Sequence, residues 1–415
     1  MAKSVKSIVK KLIPDELLNV RARLIYRSHV RKVTKKRTRV TYDSKCFPEG
    51  VNVMGPVKAE MGLGQSCRLL SKAVEASGLG FTIQNYNLAD NVRNEDKSFD
   101  DKLTDSTPYG INILHLEPPE LMYKCVDFDE NLWNKKYNIA FWLWELEEFP
   151  FFWTPAIDLV DEIWTPSEFT SESIRKVTDK PVKTIPYYVS AKTKEGCDRK
   201  YFKLPEDKFL YLIMYDANST MIRKNPMGAI ESYKKAFPVE DENVGLVIKM
   251  NNPKDKDIEE LSALLEGYKN VYFVTEILEK EVVNSLIANA DVFISLHRAE
   301  GFGLVMAEAM LNGTPCIATN WSSNTEFMNS EVACMVDYKF ITLGNNMSPY
   351  PKGCKWADAD TDQAAEYMLK LYKDKEFYDD MAVKAKSYIE DKLSLEEAGK
   401  KVRDRILEIM KQRID

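Results

Sequence analysis

Two glutamates and two glycines share a short segment of this chain, and their types and spacing suit chemistry on an anionic ligand. Glu300 and Glu308 are separated by seven residues, among them Gly301 and Gly303. The glycines let the backbone approach a ligand closely, and free amides at the start of a helix suit a phosphate. A carboxylate beside such a phosphate site cannot neutralise the phosphate, so Glu300 must have another role. The alternative is one ordinary loop glutamate and one on a helix surface.

Cationic side chains follow two of the predicted strands that precede this segment. Arg223 and Lys224 come after an apolar run at residues 209–214, and Lys249 ends the run at 244–249. Lysine serves a phosphate as a point charge and arginine as a bidentate fork. Because cations at a helix amino terminus oppose the helix dipole, we expect an anionic group to compensate Arg223 and Lys224. A solvated helix start is the alternative for both residues.

The segment that carries the glutamates has the pattern of a strand, a helix and a second strand. Residues 292–296 are continuously apolar, as in a strand buried on both faces. Residues 304–311 have a helical apolar period that stops before Gly313, and a strand is predicted at 316–319. Parallel sheets bind ligands beyond the carboxyl ends of their strands, so the loop with Glu300 lies at a predicted ligand-binding edge.

Two motifs resemble the donor-site signature of the retaining glycosyltransferases of family 4, which have the two-domain GT-B architecture. The motifs are Glu300-Gly-Phe-Gly-Leu-Val-Met-Ala-Glu308-Ala-Met, followed by Asn312-Gly313-Thr314-Pro315 and closed by Glu326, and Arg223-Lys224-Asn225-Pro226. The run FWLWELEEFP, with the segments around Trp164 and Pro181 downstream, resembles a bacterial branch of that family found among enzymes that build surface polysaccharides. The resemblance covers most of residues 50–390.

The resemblance implies a role for each residue of a donor site. Glu300 would sit against the transferred sugar at the reaction centre, and Glu308 would bind the ribose hydroxyls of the nucleotide. Lys224 would neutralise the donor diphosphate, and Arg223 and Lys249 are the next candidates for the same role. The amides of four residues would meet the sugar and the phosphates: Gly301, Phe302, Gly303 and Leu304.

Two further loops are implied to contact the donor. Ile277 belongs to the loop in which the family recognises the nucleotide base, largely through backbone groups. Gly62 and Gly64 lie between a strand that begins at Val51 and a helix predicted at 67–76. The equivalent loop of the family approaches the donor phosphates, although two glycines at such a turn are weak evidence by themselves.

The acceptor side of the site is predicted from a histidine and an aromatic stretch. His115 ends an apolar run, where a histidine is more often a packing residue than a ligand-binding one. Many family members place a sugar-contacting histidine on a later strand, but residues 138–150 contain none. Aromatic faces stack on sugar rings or pack as core, and packing is expected for most of this stretch. The role stays open between His115, Trp144 and Glu145, of which Glu145 is the main acceptor-side carboxylate.

Length, together with the resemblance, predicts an α/β protein with two Rossmann-like, doubly wound parallel-sheet domains around a central cleft. A chain of 415 residues exceeds what one core usually supports. The predicted divisions are a basic segment at 1–45, an acceptor-side domain at 46–195, a nucleotide-sugar donor domain at 196–385, and a carboxyl-terminal helix at 386–415. By resemblance, this last helix packs back on the first domain.

The amino-terminal segment differs in charge from the rest of the chain. Residues 1–45 contain fourteen Lys or Arg and three acidic residues, in a chain whose net charge is −6. Lysines alternate there with apolar residues in the pattern of an amphipathic helix: Val5, Ile8, Val9, Leu12 and Ile13. Such a helix can bind an anionic membrane surface, which is the preferred interpretation. A tail folded on the protein is an alternative, and a nucleic-acid arm is disfavoured because the remainder is acidic and has no RNA-binding motif.

Cysteine use and the absence of a long apolar run predict a cytoplasmic protein, which the basic amino-terminal segment would place at the inner face of the membrane. The seven cysteines form no CxxC pair, which indicates reduced thiols and argues against a structural zinc site. No signal peptide and no run of about 20 apolar residues is present. Asp358-Ala-Asp360 mimics a metal-binding DxD motif, but it falls in a predicted loop. No metal or cofactor is expected, and the nucleotide sugar would be a co-substrate.

These features predict a retaining glycosyltransferase that moves a sugar from a UDP-, GDP- or dTDP-sugar to a hydroxyl of a glycan or a lipid-linked glycan. The predicted context is the synthesis of bacterial surface polysaccharide. Two alternatives remain: a GT-B phosphorylase or epimerase, and a catalytically silent GT-B module that binds a partner or a membrane glycolipid.

Overall fold

The computed structural model describes residues 15–36, 42–88, 93–217 and 221–411. The amphipathic pattern predicted between Val5 and Ile13 lies outside these residues. The described chain begins with a long helix, α1 (Asp15–Lys36), which packs beside the first of two sheets.

The first sheet has six parallel strands in the order β2-β1-β3-β4-β5-β6. Its central strands are buried along their whole length, as in a parallel sheet covered on both faces. The strands are β1 (Val51–Gly55), β2 (Phe81–Asn85), β3 (Ile111–Leu114), β4 (Tyr137–Phe141), β5 (Glu162–Thr165) and β6 (Val182–Thr184). The connecting helices are α2 (Gly62–Ala76), α3 (Pro118–Lys124), α4 (Glu130–Trp133) and α5 (Glu168–Arg175), and 3-10 turns occur at Ser44–Cys46, Asp100–Lys102 and Phe151–Leu159.

Buried asparagines hold three strands of this sheet at one register. Asn52, Asn112 and Asn138 occupy paired positions of β1, β3 and β4. The Asn52 amide donates to Asn112 Oδ1 at 2.8 Å, and the Asn112 amide donates to Asn138 Oδ1 at 2.9 Å. Shifting one strand by a residue would bury these amides without partners, so the asparagines fix the alignment.

The second sheet also has six parallel strands, in the order β12-β11-β10-β7-β8-β9. Its strands are β7 (Phe209–Asp216), β8 (Val244–Asn251), β9 (Val271–Val274), β10 (Val292–Ser295), β11 (Cys316–Thr319) and β12 (Cys334–Val336). Its helices are α6 (Met221–Lys224), α7 (Pro226–Ala236), α8 (Asp255–Leu264), α9 (Lys280–Asn289), α10 (Leu304–Asn312) and α11 (Thr361–Lys373), with a 3-10 turn at Ser323–Glu326.

The strand order of the second sheet reverses between β7 and β10, which pair with each other. A crevice forms beyond the carboxyl ends of the strands at such a switch point. Lys224 follows β7 and Glu300 follows β10. The connectivity alone therefore brings the loops of these two residues to the same crevice.

An antiparallel hairpin, which the sequence analysis did not predict, follows β12. It consists of β13 (Tyr338–Thr342) and β14 (Lys355–Ala359). Its connecting segment carries Tyr350, which is buried against Trp144 of the first domain, with ring centroids 5.6 Å apart. The hairpin thus reaches from the second sheet across to the first.

The last two helices are α12 (Lys375–Lys392), which stays with the second domain, and α13 (Leu395–Lys411), which returns to the first. α12 packs on α10, and α13 packs on α2, where a Cβ on Gly399 would lie 2.8 Å from the Ala76 side chain. Arg405 of α13 donates to both carboxylate oxygens of the buried Glu162, at 2.8 and 2.5 Å. This pair fixes α13 to the first sheet.

The structure bears on three features considered in the sequence: membrane spans, cysteines and the DxD-like motif. Among the described residues, no helix is long and apolar enough to cross a bilayer. All seven cysteines are free thiols. Asp358 of the DxD-like motif accepts from Arg298 at 2.6 Å, and Asp360 caps α11. Each of these two carboxylates therefore has a structural partner.

Candidate active site

Glu300 meets two cations at the switch-point crevice. Its Oε1 forms an ion pair with Lys224 Nζ, and its Oε2 lies 3.5 Å from Arg223 Nη1. Burial would raise the pKa of Glu300, but Lys224 and then Arg223 outweigh it and lower the pKa to about 2. The carboxylate is therefore ionised at neutral pH and can accept hydrogen bonds from hydroxyl groups.

Arg223 joins the two domains through carboxylates on either side of it. Its Nη1 donates to the carbonyl of Ala299 at 2.7 Å, and its Nη2 lies 3.7 Å from Glu145 Oε1. Glu145 belongs to the loop after β4 of the first sheet, whereas Glu300 follows β10 of the second. One buried guanidinium thus lies between a carboxylate from each domain.

The turn that presents both cations is fixed by Asn225. This residue has a left-handed backbone, with φ of 52°, and its side chain accepts from the amide of Gly228 at 3.2 Å. Its amide nitrogen donates to the carbonyl of Leu296 at 2.9 Å, beside the end of β10. Pro226 starts α7 at a position where proline loses no hydrogen bond. Local sequence therefore sets the direction of Arg223 and Lys224.

Two serines that the sequence analysis missed hold the backbone of Glu300. The Ser322 hydroxyl accepts from the Glu300 amide at 3.1 Å, and the Ser323 hydroxyl donates to the Glu300 carbonyl at 2.5 Å. Ser322 has φ of 78° and ψ of −161°, a region that is nearly exclusive to glycine. Strained backbone of this kind clusters at functional sites. In the sequence, the only hint that Ser322 belongs to the site is its place just after β11.

Glu308 is paired on one oxygen only. Its Oε1 forms an ion pair with Lys280, at the start of α9. Its Oε2 is buried and receives no hydrogen bond from the described residues. Burial raises the pKa of Glu308, while Lys280 acts in the opposite direction. The open oxygen can accept hydroxyl groups of a ligand, and an unsatisfied buried acceptor is unfavourable without one.

The sequence predicted that Lys249 serves the donor phosphate, but in the structure its ammonium is bonded within the protein. Its Nζ donates to the carbonyls of Glu276 at 3.0 Å and Met250 at 3.2 Å, and to Asn251 Oδ1 at 2.5 Å. An ammonium has three donors, and the protein uses all of them, so none remains for a phosphate. Burial lowers the pKa of Lys249 to about 8. The residue instead supports the loop of the exposed Ile277, which remains available for a ligand.

The loop between Glu300 and α10 is compressed against the first domain. A Cβ on Gly301 would lie 3.0 Å from the carbonyl oxygen of Trp144, and the Ser167 hydroxyl donates to the Gly301 carbonyl at 2.9 Å. Gly303 has φ of 94° as the amino-terminal cap of α10, before Leu304. Phe302 is buried and packs on other aromatic rings. The close approach to the neighbouring domain is thus one reason for Gly301.

The glycines at the start of α2 have different surroundings. A Cβ on Gly64 would lie 1.9 Å from the carbonyl oxygen of Ala59, so glycine is required there for packing inside the first domain. Nothing lies within 4 Å of the corresponding position on Gly62. Gly62 is therefore the one that leaves open space at this helix terminus.

His115 and Trp144, two of the residues predicted for the sugar side, are both buried. His115 is fully buried, its Nε2 shares a hydrogen bond of 2.6 Å with the Ser66 hydroxyl, and its ring stacks on Phe141. Trp144 is 1% exposed and donates to the carbonyl of Glu148 at 2.8 Å. Neither ring is exposed, although His115 Nδ1, like Glu308 Oε2, receives no hydrogen bond from the described residues. Of the three residues left open by the sequence, only Glu145 remains at the crevice.

We expect acidification to destabilise the protein partly through His115. Burial lowers its pKa to about 4, below the ordinary 6.5, so the unfolded chain binds more protons between these pH values. The contribution to stability is complete above about pH 6.5 and falls by up to about 3 kcal/mol as the pH drops towards 4. Urea unfolding near pH 7 and near pH 4.5 should show a smaller loss for His115→Gln than for wild type.

The buried His297, whose pKa is also lowered by burial, contributes in the same direction in both proteins. The difference between the two proteins therefore isolates His115. Equal losses on acidification would contradict the prediction.

The acceptor side of the crevice contains two residues that the sequence analysis did not select. Glu117 follows β3 and accepts from the Leu143 amide at 3.3 Å, and burial and then Glu145 raise its pKa well above the usual range. Tyr350, from the hairpin, has a pKa raised by burial and by the charge of Glu145. An acidic residue just after a predicted strand could have indicated Glu117, whereas nothing local indicated Tyr350.

Glu326 connects the two domains on the other side of the Glu300 loop. Its carboxylate accepts from the amides of Glu168 at 2.9 Å and Phe169 at 2.8 Å, the first residues of α5. Phe169 also packs edge-on against Trp321, with centroids 5.5 Å apart. A side chain of the second domain therefore caps a helix of the first.

The geometry brings an ionised carboxylate and two cations together between two parallel sheets, and leaves an unsatisfied carboxylate oxygen on the helix that follows the same loop. Residues 198–388 match the sequence profile of the family described as Glycosyl transferases group 1. The matched segment contains the turn of Lys224, the loop of Glu300 and the whole second sheet, and makes up a little under half of the chain. No curated protein matches the chain in sequence.

Solved structures of glycosyltransferases share the fold over most of the chain. Anabaena Alr3699/HepE in complex with UDP and glucose aligns with a TM-score of 0.63 and 11% identity, over 87% of this chain and 100% of that one. Sucrose-phosphate synthase from Thermosynechococcus elongatus gives 0.62 and 12% identity, over 87% and 99%. A glycosyltransferase from Rickettsia africae gives 0.63 and 13%, over 88% and 100%. The likeness confirms the predicted GT-B architecture.

Proposed function

We propose that the protein is a retaining glycosyltransferase, which transfers a sugar from a nucleotide diphosphate donor to a hydroxyl group. The observation that carries the proposal is the contact of Glu300 with Lys224 and Arg223 at the switch point of the second sheet. The family match over residues 198–388 supports the same conclusion. A catalytically silent module would have no need to keep these charges together in a crevice.

The cations would serve the leaving group. Cleavage of the bond between the sugar and the diphosphate leaves additional negative charge on the diphosphate, and Lys224 and Arg223 would offset it. One preorganised group of this kind commonly contributes a few kcal/mol to lowering the barrier. Their ion pairs with Glu300 hold both side chains in place before the donor arrives. No reorganisation is then needed when charge develops.

Glu300 would hold the sugar through its hydroxyls and stabilise positive charge on the reacting carbon. No other carboxylate is assigned as a nucleophile, so we propose attack by the acceptor hydroxyl from the face of the departing phosphate, with retention of the anomeric configuration. The departing phosphate would accept the proton of the acceptor hydroxyl. Glu308 would accept the ribose hydroxyls through its open Oε2.

The donor is a UDP-, GDP- or dTDP-sugar, and the acceptor is a glycan or a lipid-linked glycan of bacterial surface polysaccharide synthesis. Glu145, beside Arg223, is the carboxylate we assign to the acceptor hydroxyls. We further propose a cytoplasmic protein that is peripheral at the inner face of the membrane and binds anionic lipid through residues 1–45. The domain limits at 46–195, 196–385 and 386–415 are part of the same proposal.

The proposal is tested by incubating the purified chain with UDP-, GDP- and dTDP-sugars and measuring release of the nucleoside diphosphate. We expect turnover with at least one donor and a roughly hundredfold or larger loss in Glu300→Gln, which keeps the shape but removes the charge. Glu331→Gln, at an exposed position outside the crevice, should retain wild-type turnover. Proton NMR of the transferred sugar reports whether its configuration is retained.

Absence of turnover with every donor, alongside tight binding of a nucleotide, would favour the silent module. Wild-type turnover in Glu300→Gln would contradict the assigned role of this residue.

A further inference from the structure

The outer surface of α1 exposes apolar side chains that a packed helix would normally bury. Val20 is 48% exposed, Leu24 64% and Ile25 40%, all within the first half of the helix. Positions 20 and 24 are one helical turn apart and lie on the same face. The opposite face packs on the first domain through the buried Val30 and Val33. The apolar residues of the outer face are therefore not part of the core.

A second element extends this apolar surface beyond the helix. Phe151, at the start of the 3-10 helix Phe151–Leu159, is 63% exposed. The guanidinium of Arg23 on α1 lies over its ring, 5.5 Å from the centroid. Phe151 therefore adjoins the outer face of α1, although it is distant in sequence. We call Val20, Leu24, Ile25 and Phe151 the apolar strip.

Cations surround the apolar strip. From residue 20 to residue 36 the chain has seven Lys or Arg and no acidic residue. The only ion pair of this stretch within the described part of the chain joins Lys36 to Glu130. Five other cations are exposed, and none of them pairs with a carboxylate of the described residues: Arg21, Arg27, Arg31, Lys32 and Lys35.

We propose that the apolar strip and its five cations form a docking surface for an anionic lipid bilayer. Leucine, isoleucine and phenylalanine would enter the boundary of the acyl chains, and the cations would meet the lipid headgroups. The composite surface goes beyond residues 1–45 because Phe151 belongs to the first domain. The inference rests on the proposed peripheral association, and it is independent of the sugar-transfer chemistry.

The shape of the surface favours a bilayer over a protein partner. The strip lies on the convex side of one helix, and two exposed aromatic side chains adjoin α1: Phe151, and Tyr123, which is 52% exposed with its ring centroid 6.2 Å from that of His29. Recognition of a protein needs a packed core with shape complementarity, whereas a lipid surface adapts to a convex apolar ridge. The five exposed cations form no ion pairs with carboxylates of the described residues, so they are available to lipid headgroups.

Docking through this surface would set the orientation of the crevice. α1 contacts α3, which begins just after Glu117, and the 3-10 helix of Phe151, which follows the loop of Glu145. The surface is thus attached to the two elements that continue from the acceptor-side carboxylates. A lipid-linked acceptor would approach from the same side on which the protein is bound.

Sedimentation of the full chain with lipid vesicles tests the proposal. Vesicles of phosphatidylcholine with about one-third phosphatidylserine should bind at least about tenfold more tightly than pure phosphatidylcholine, and high salt should weaken the binding. The double variant Leu24→Glu with Phe151→Glu should lower the affinity for anionic vesicles by about tenfold or more. Val383→Glu is the matched control, because Val383 is 69% exposed on α12, away from α1.

The outcomes separate this surface from the rest of the proposal. Unchanged vesicle binding by the double variant would overturn the inference and leave residues 1–14 as the membrane-binding segment. Equal binding to neutral and anionic vesicles, or self-association of the wild type that the double variant abolishes, would also overturn it. Nucleotide-sugar turnover in solution should not change in either variant, so loss of turnover by itself reports on the sugar-transfer proposal.

Discussion

Lys224→Met is expected to lower kcat for nucleotide-sugar turnover by about two to three orders of magnitude. The substitution removes the cation that is paired with Glu300 and leaves Arg223 as the remaining charge near the diphosphate. Because the lost interaction strengthens as charge develops, kcat should fall more than KM changes. Steady-state release of the nucleoside diphosphate measures both parameters.

A matched lysine outside the crevice controls for loss of charge. Lys375 lies on α12 in an exposed pair with Asp379, so Lys375→Met removes the same charge without touching the site. Its kcat should stay near the wild-type value. Combining Lys224→Met with Glu300→Gln should cost much less than the product of the two single effects, because both residues act on the same donor. A kcat within a few-fold of wild type in Lys224→Met would contradict the assignment.

Arg405→Leu is expected to destabilise the protein by about 3–5 kcal/mol. Arg405 is buried and pairs with Glu162, which also accepts from Tyr137 at 2.9 Å and Trp164 at 2.7 Å. Without Arg405 a fully buried carboxylate loses its counter-charge. The pair also fixes α13 to the first sheet, so the contact of the last helix with α2 weakens as well. Urea unfolding followed by circular dichroism gives the change in free energy.

Arg403→Leu provides the comparison on the same helix. Arg403 is exposed and donates to the carbonyl of Ser77 at 2.9 Å, so its replacement should cost about 1 kcal/mol or less. Replacing Glu162 and Arg405 together by glutamine and leucine should recover part of the loss, since no unpaired charge remains. A loss for Arg405→Leu no larger than that for Arg403→Leu would show that the buried pair is not decisive.

The central part of the fold could be predicted because its signals are local. A continuous apolar run, a glycine-bearing loop and a helix with an apolar period identify β10, α10 and β11 within one or two residues. The proline that starts α7 fixed the place of Lys224 in the same way. Once two parallel strands are recognised, their carboxyl ends must meet at one edge, so the proximity of Lys224 and Glu300 could be expected; their ion pair is seen in the structure.

Other features depend on contacts between distant segments, which no local pattern reveals. Tyr350 reaches the crevice through a hairpin whose strands read as an ordinary loop in the sequence. Lys249 lies two residues before the end of a buried strand, but only the structure shows that Met250, Asn251 and Glu276 together take all its donors. The buried His115 likewise bonds to Ser66, which lies on α2, far from it in sequence. Residue type gave the chemistry in these cases, and tertiary packing decided whether it was available.

The cap that Glu326 places on α5 has a mechanical consequence. A nucleotide sugar that enters or leaves between the two sheets requires them to part, and parting exposes the amides of Glu168 and Phe169. These two amides would then exchange their hydrogens with solvent faster as opening becomes more frequent, while amides in the middle of β4 stay protected. Hydrogen exchange at the first turn of one short helix would therefore report the opening between the two domains. Where every opening leads to exchange, and under the proposed function, its rate would set an upper limit on how fast the product can escape.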